Sequence, residues 1–216
     1  MKRMLTDQER TQLNQRVSDV EKRVNAQIVL AVIERCDSYA ELPWKAFALG
    51  AAAAGLIAVL LNLLRPGWHS SPAVLLAVVS MLAAGAGFAL LCIVAPGFAR
   101  FFLDAHRAET EVRQYAQSLF LAREVFTTRG RTGVLLLVSL FERHVVMLPD
   151  IGMNKRLSRE ALQDIVSRMT PVLQAGQVGR SLEEGLRGLE ENRAPTAAGT
   201  PRENELSEAI IEEAGS

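Results

Sequence analysis

Two stretches of this chain carry no charged side chain, Ala46 to Leu64 and Ser70 to Ala99. An apolar run of roughly 18 residues or more is long enough to cross the hydrocarbon core as a helix, and both stretches pass that test. Between them stands Arg65-Pro66-Gly67-Trp68-His69-Ser70-Ser71-Pro72, room for a tight turn and little else. The pattern predicts two membrane-spanning helices joined as a hairpin. Whatever folds outside the membrane is therefore cut in two by it.

The basic residues give the orientation. Lys2, Arg3, Arg10, Arg16, Lys22, Arg23, Arg35 and Lys45 precede the first span, and Arg100, Arg107 and Arg113 follow the second. The connecting loop holds only Arg65. The positive-inside rule places both termini in the cytoplasm, which makes the chain a multi-pass protein of the inner (plasma) membrane, as in a bacterium. Residues 1–35 carry charges throughout, unlike a signal peptide. Trp44 and Trp68 fall at opposite ends of the first span, where amphipathic rings favour the headgroup level. The bilayer is thus the first expected partner. With no ionisable residue at mid-depth, the spans argue against ion or substrate transport. Ala46, Gly50 and Ala54, and Ala83, Gly85 and Gly87, offer small surfaces for close helix contact. Packing within the hairpin is the first use for them, and a homo-oligomer the second.

The charges cancel, with 24 basic and 24 acidic side chains, so bulk charge gives no case for a nucleic-acid partner. Cys36 would end a cytoplasmic strand and Cys92 would lie within the second span. Geometry and redox compartment both speak against a disulfide between them. No cysteine–histidine spacing suggests zinc.

On either side of the spans the chain reads as halves of one α/β domain. Thr6-Asp7-Gln8-Glu9 is a capping box that opens a helix from about Asp7 to Val24, with Leu13, Val17, Val20 and Val24 on its apolar face. Gln27 to Glu34 is rich in β-branched residues and apolar throughout, as a buried strand must be. A helix and a strand cannot fold alone. After the spans, a helix is expected from His106 to about Val125, with Val112, Tyr115, Leu119 and Ala122 along one side. A hairpin follows, from about Gly133 to Ser139 and from about Arg143 to Leu148, ended by Pro149, Asp150 and Gly152. Ser158 caps a helix with Leu162, Ile165, Val166 and Met169 on one stripe. Gly176 and Gly179 break it, and Ser181-Leu182-Glu183-Glu184 reads as a second capping box for a helix through about Glu191. The expected fold is α/β: a small mixed sheet sandwiched by helices and interrupted by a two-helix transmembrane hairpin. The expected division is residues 1–43 and 100–192 for the split domain, 44–99 for the hairpin and 193–216 for a flexible acidic tail. Within that tail, 193–201 reads as a linker and Leu206 to Glu213 as a solvated segment, with a helix induced by a partner as the alternative.

Several of these segments resemble the TPM domain family, named for a thylakoid-lumen phosphatase-like protein, a photosystem repair protein and a worm modulator of acetylcholine receptors. Leu5-Thr6-Asp7-Gln8-Glu9 followed by Ala26-Gln27-Ile28-Val29-Leu30-Ala31-Val32 is similar to the start of the domain. Thr132-Gly133-Val134-Leu135-Leu136-Leu137-Val138-Ser139-Leu140, with Arg143-His144-Val145-Val146-Met147, resembles its central hairpin, and residues 175–186 its closing element. The resemblance covers about residues 5–42 and 100–192. It implies an α/β/α sandwich, and for some members a phosphatase activity and a divalent-metal site. Where the family usually places an acidic residue before the Gly-Val-Leu-Leu run, this chain has Arg131-Thr132. Where the family has a glycine-rich turn ending in an acidic residue, it has Pro149 to Lys155.

The residues themselves offer little chemistry. Asp150 follows the second hairpin strand, where a loop carboxylate could hold calcium or magnesium through oxygen, and a turn-forming aspartate is the plainer reading. His144 beside Glu142 could form a general base with a carboxylate, and Asp104 and His106 a pair past the second span. A strand-edge histidine at a polar turn and a juxtamembrane polar rim are the favoured readings of these. There is no nucleotide-binding glycine loop, nucleophile elbow or metal-ligand cluster. No catalytic residue and no bound cofactor is therefore expected. The function expected is that of a membrane-anchored, non-catalytic domain that binds a protein partner. The alternative is a weak acid phosphatase or divalent-cation-binding domain using Asp150.

Overall fold

A computed structural model of the chain describes residues 4–64, 71–128, 130–192 and 210–215. The loop around Arg65 and Trp68 and the 193–201 linker lie outside them. The chain forms two units, Met1–Asp37 with His106–Ser216, and Ser38–Ala105.

The first unit is built on a four-stranded sheet. Helix α1 (Asp7–Val24) opens it. The Thr6 side chain accepts from the Glu9 amide, and the Thr6 amide donates to the Glu9 carboxylate at 2.9 Å, so both halves of the capping box are closed. Asn25, with φ at 52°, ends the helix in the left-handed region and turns the chain into β1 (Gln27–Arg35). β1 pairs in parallel with β2 (Gly133–Ser139), Gln27 opposite Gly133 and Ile33 opposite Ser139. β2 returns antiparallel as β3 (His144–Pro149). A parallel neighbour needs a crossover of a dozen residues or more, and here it holds the second unit and helix α5 (Ala105–Ala122). The sheet order is β3-β2-β1-β4, where β4 is Ile210–Gly215.

β4 corrects the expected tail. Ile210 to Glu213 is neither frayed nor helical but an edge strand, parallel to β1. Two adjacent β-branched residues fit a pleated, half-buried edge. The acids beside them gave the stretch its solvated look.

β1 and β2 are buried along almost their whole length, because both faces are covered. On one face, Ile28, Leu30, Val32, Val134, Leu136 and Val138 pack against α1, α7 (Arg159–Gln174) and α8 (Val178–Glu191). On the other, Val29, Ala31, Ile33, Leu135 and Leu137 meet Val112, Ala116 and Leu119 of α5. The result is the α/β/α sandwich that the resemblance implies. Removing a strand side chain such as Leu136 or Val138 from water stabilises by roughly 1.5–3 kcal/mol, a gain available only when the segments on either side of the second unit meet. Ser158 caps α7 as expected, accepting from the Ala161 amide at 3.2 Å. α8 begins three residues before the expected box. Gly176, at φ 80°, makes the break between the helices, whereas Gly179 is helical and buried. Ser181 is buried within α8, and its hydroxyl donates to the Met169 carbonyl at 3.1 Å.

The second unit is the apolar hairpin. α2 (Glu41–Leu64) and α3 (Ser71–Val94) are each long and apolar enough to cross a membrane, with mean hydropathies of 2.3 and 2.4 in their most apolar windows. Only 6% of each window is buried, so neither is the core helix of a soluble fold. Within the hairpin, a Cβ at Gly50 would stand 2.8 Å from the Ala84 carbonyl oxygen, and one at Gly85 2.8 Å from the Phe47 ring. These glycines let the two helices approach. The short helix α4 (Pro96–Phe101) follows, and the Lys45 ammonium donates to the Phe102 carbonyl at 3.4 Å, so the unit's beginning and end meet.

Candidate functional site

The parallel pair β1–β2 gives the sheet two unlike ends. Ligand sites in open α/β sheets lie beyond the carboxyl ends of the strands. Asp150 is at the other end. It follows β3, which runs antiparallel, and its amide donates to the Gly133 carbonyl at the start of β2 (2.8 Å).

Asp150 is buried, with 4% of its side chain exposed. One carboxylate oxygen accepts from the Ile151 amide at 2.8 Å and caps the short helix α6 (Ile151–Asn154). The other lies 2.8 Å from Arg131 Nε, an ion pair that lacks hydrogen-bond alignment. The loop before β2 sets that arginine in place. Its backbone sits at φ 55°, its amide donates to the Thr128 carbonyl and its own carbonyl accepts from Gly152. The guanidinium also stands 5.8 Å from the centre of the Phe126 ring. Gly133 holds this loop against the sheet: a Cβ there would stand 2.2 Å from the Val125 carbonyl oxygen. The site expected to bind calcium or magnesium thus has its carboxylate taken by an internal cation and an amide. Among the described residues no three His, Cys, Asp or Glu side chains converge to hold a metal. A divalent cation takes about six or more oxygen ligands, and here Arg131 sets a positive charge against the one buried carboxylate.

The carboxyl end of the sheet is closed by Glu142, in the β2–β3 turn. Its carboxylate accepts from the Cys36 amide at 2.9 Å and from the Ser139 hydroxyl. It therefore faces β1 and β2. Arg35, at the end of β1, lies 4.1 Å from the centre of the Phe141 ring. Burial, with Glu142 adding to it, pushes the Cys36 thiol up to about 12, so it stays protonated and is no nucleophile. His144 is half-buried as the first residue of β3, opposite Ser139. Asp104 and His106 are exposed before and in the first turn of α5.

Residues 102–192 match the TPM domain family. Over those residues the chain is similar to a TPM domain. The match starts just after the apolar hairpin, so β1, one of the two inner strands, lies outside it although it pairs in parallel with β2. The NMR structure of the BA42 protein from the psychrophilic bacterium Bizionia argentinensis aligns with 98% of this chain and 97% of its own, at a TM-score of 0.57 and 14% identity. At that identity the likeness is one of fold. No curated protein matches the sequence.

Arg131 was visible in the sequence as a departure from the TPM pattern, but its ion pair with Asp150 was not. Missed altogether were the contacts of the last strand. Tyr115 donates from its hydroxyl to Glu213 at 2.8 Å, and Arg123 from its guanidinium at 2.9 Å. The Met4 amide donates to Glu212 at 3.1 Å. The signal was the isoleucine pair, 210 and 211, set in an acidic stretch.

Proposed function

We propose that this protein anchors a TPM domain at the cytoplasmic face of the inner membrane and acts there by binding another protein, without hydrolysing a substrate. The pairing of Asp150 with Arg131 carries this reading. A carboxylate that already has a guanidinium on one oxygen and a backbone amide on the other has little left to offer a metal or a phosphate ester. The arginine also brings positive charge where a cation site needs negative. At the opposite end of the sheet, Glu142 is spent on Cys36 and Ser139. The basic residues that flank the spans support the cytoplasmic side.

Calcium and magnesium titrations of the whole chain in nanodiscs, followed by heteronuclear NMR, test this. The amides of Asp150, Ile151 and Arg131 are expected to stay unmoved at millimolar cation, and p-nitrophenyl phosphate is expected to persist. Saturable shifts there, or hydrolysis abolished by Asp150→Asn in a chain that still folds, would favour a phosphatase-like or cation-binding domain instead.

A further inference from the structure

We infer that the edge of β1 away from β2 is a receptor for a strand of defined pattern, and that the chain's own β4 fills it in competition with a partner protein presenting the same pattern. This rests on the protein-binding reading above and names the surface and the partner's chemistry.

β4 lies beyond the residues that match the TPM family, and residues 192–209 separate it from α8. It seats itself along β1, Leu30 opposite Ile210 and Arg35 opposite Gly215. Such edge pairing gives affinity through the backbone and selectivity through side chains that alternate between faces. Both faces are read here. Ile210 enters the core under α1, and on the same face Glu212 accepts from the Met4 amide and lies 3.9 Å from the Arg10 guanidinium. Ile211 enters the core under α5, and on that face Glu213 accepts from Tyr115 and Arg123. Gly215 ends the strand, at φ 82°, where a Cβ would stand 1.6 Å from the Arg35 carbonyl oxygen. The groove therefore selects two adjacent aliphatic residues, two acids, one unrestricted residue and a glycine, running parallel to β1. The cations that grip the acids are partly exposed, 39% for Arg123 and 52% for Arg10, so salt weakens the grip. A tethered strand holds its groove at high effective concentration, and a free partner competes against that tether.

The test uses a fluorescent synthetic peptide, residues 205–216, and the chain in nanodiscs, either whole or ending at Ala209. Anisotropy should show saturable one-to-one binding to the shortened chain, weaker by about a hundredfold for the whole chain, whose own strand competes. Peptides with Gly215→Val, or with Glu212→Lys and Glu213→Lys, should not bind. If the shortened chain does not fold, the whole chain carrying Gly215→Val replaces it, because its own strand can no longer close on Arg35. Absence of binding to either form, equal binding to the whole and shortened chains, or equal binding of the variant peptides would overturn the proposal. So would a dimer that exchanges last strands and loses half its mass on adding peptide, since the occupant would then be a second copy. Hydrolysis dependent on Asp150 would remove the non-catalytic reading and leave the peptide result standing. Failed peptide binding without hydrolysis would remove only this proposal.

Discussion

Gly133 shows how much one missing side chain can decide. The Val125 carbonyl oxygen occupies the space a Cβ would need, so the loop carrying Arg131 can lie against the start of β2. Gly133→Ala should lower stability by about 3 kcal/mol, at the upper end of overpacking costs, read from urea unfolding followed by circular dichroism. Glu21 shows a different balance. Burial raises its carboxyl above the ordinary 4.5, while the Ile28 amide, donating to it at 2.8 Å, acts the other way. A raised acid is a cost in its charged form, so this cost is absent below 4.5 and grows as pH rises through the folded-state value. Glu21→Gln keeps an acceptor for Ile28 and removes the charge. Its melting temperature should exceed that of the parent at pH 7, and the gap should close as pH falls towards 4. An unchanged gap across that range would contradict the assignment. Glu21 looks in the sequence like any surface glutamate at the end of a helix. Its burial depends on β1 turning back beneath it, which no local pattern reports.

Whole elements were more legible than the contacts between them. The capping box at Thr6 marks the start of α1, since its two hydrogen bonds close within one turn and need nothing from elsewhere. β1 and β2 announce themselves because strands buried on both faces must be apolar throughout. The start of α8 was misplaced because Ser181 resembles a cap, while its hydroxyl is used across a helix contact with Met169. β4 was missed because its apolar part is only two residues long, and its acids pair with Arg10 of α1 and with Arg123 just past α5, far off in sequence. The strand nonetheless stabilises the sheet. Ile211→Ala should cost about 2–4 kcal/mol in equilibrium unfolding, close to a core truncation and well above a surface change. A loss below about 0.5 kcal/mol would mean that β4 is not seated.

Across the whole chain, one inner strand of the sheet precedes the apolar hairpin and its parallel neighbour follows it. The charge-free runs made the two long apolar helices legible, because each is long enough and apolar enough to cross a bilayer. The closure of the sheet was legible only by elimination: neither half has enough strands to stand alone. If both termini are cytoplasmic, a cysteine replacing Trp68 should react with an impermeant maleimide from outside intact cells, and one near either terminus only after lysis. Labelling at position 68 from the cytoplasm alone would reverse the topology.

Everything rests on β1 being sealed by β2 along one edge and by β4 along the other. Backbone NMR of the whole chain in nanodiscs can observe this directly. Leu30 should show cross-strand contacts of parallel type to Leu136 and its neighbours, and to Ile210 and Ile211. A β1 without contacts to β2 would mean that the segments on either side of the apolar hairpin do not rejoin, and a β1 touched by β2 alone would leave the last strand without its place.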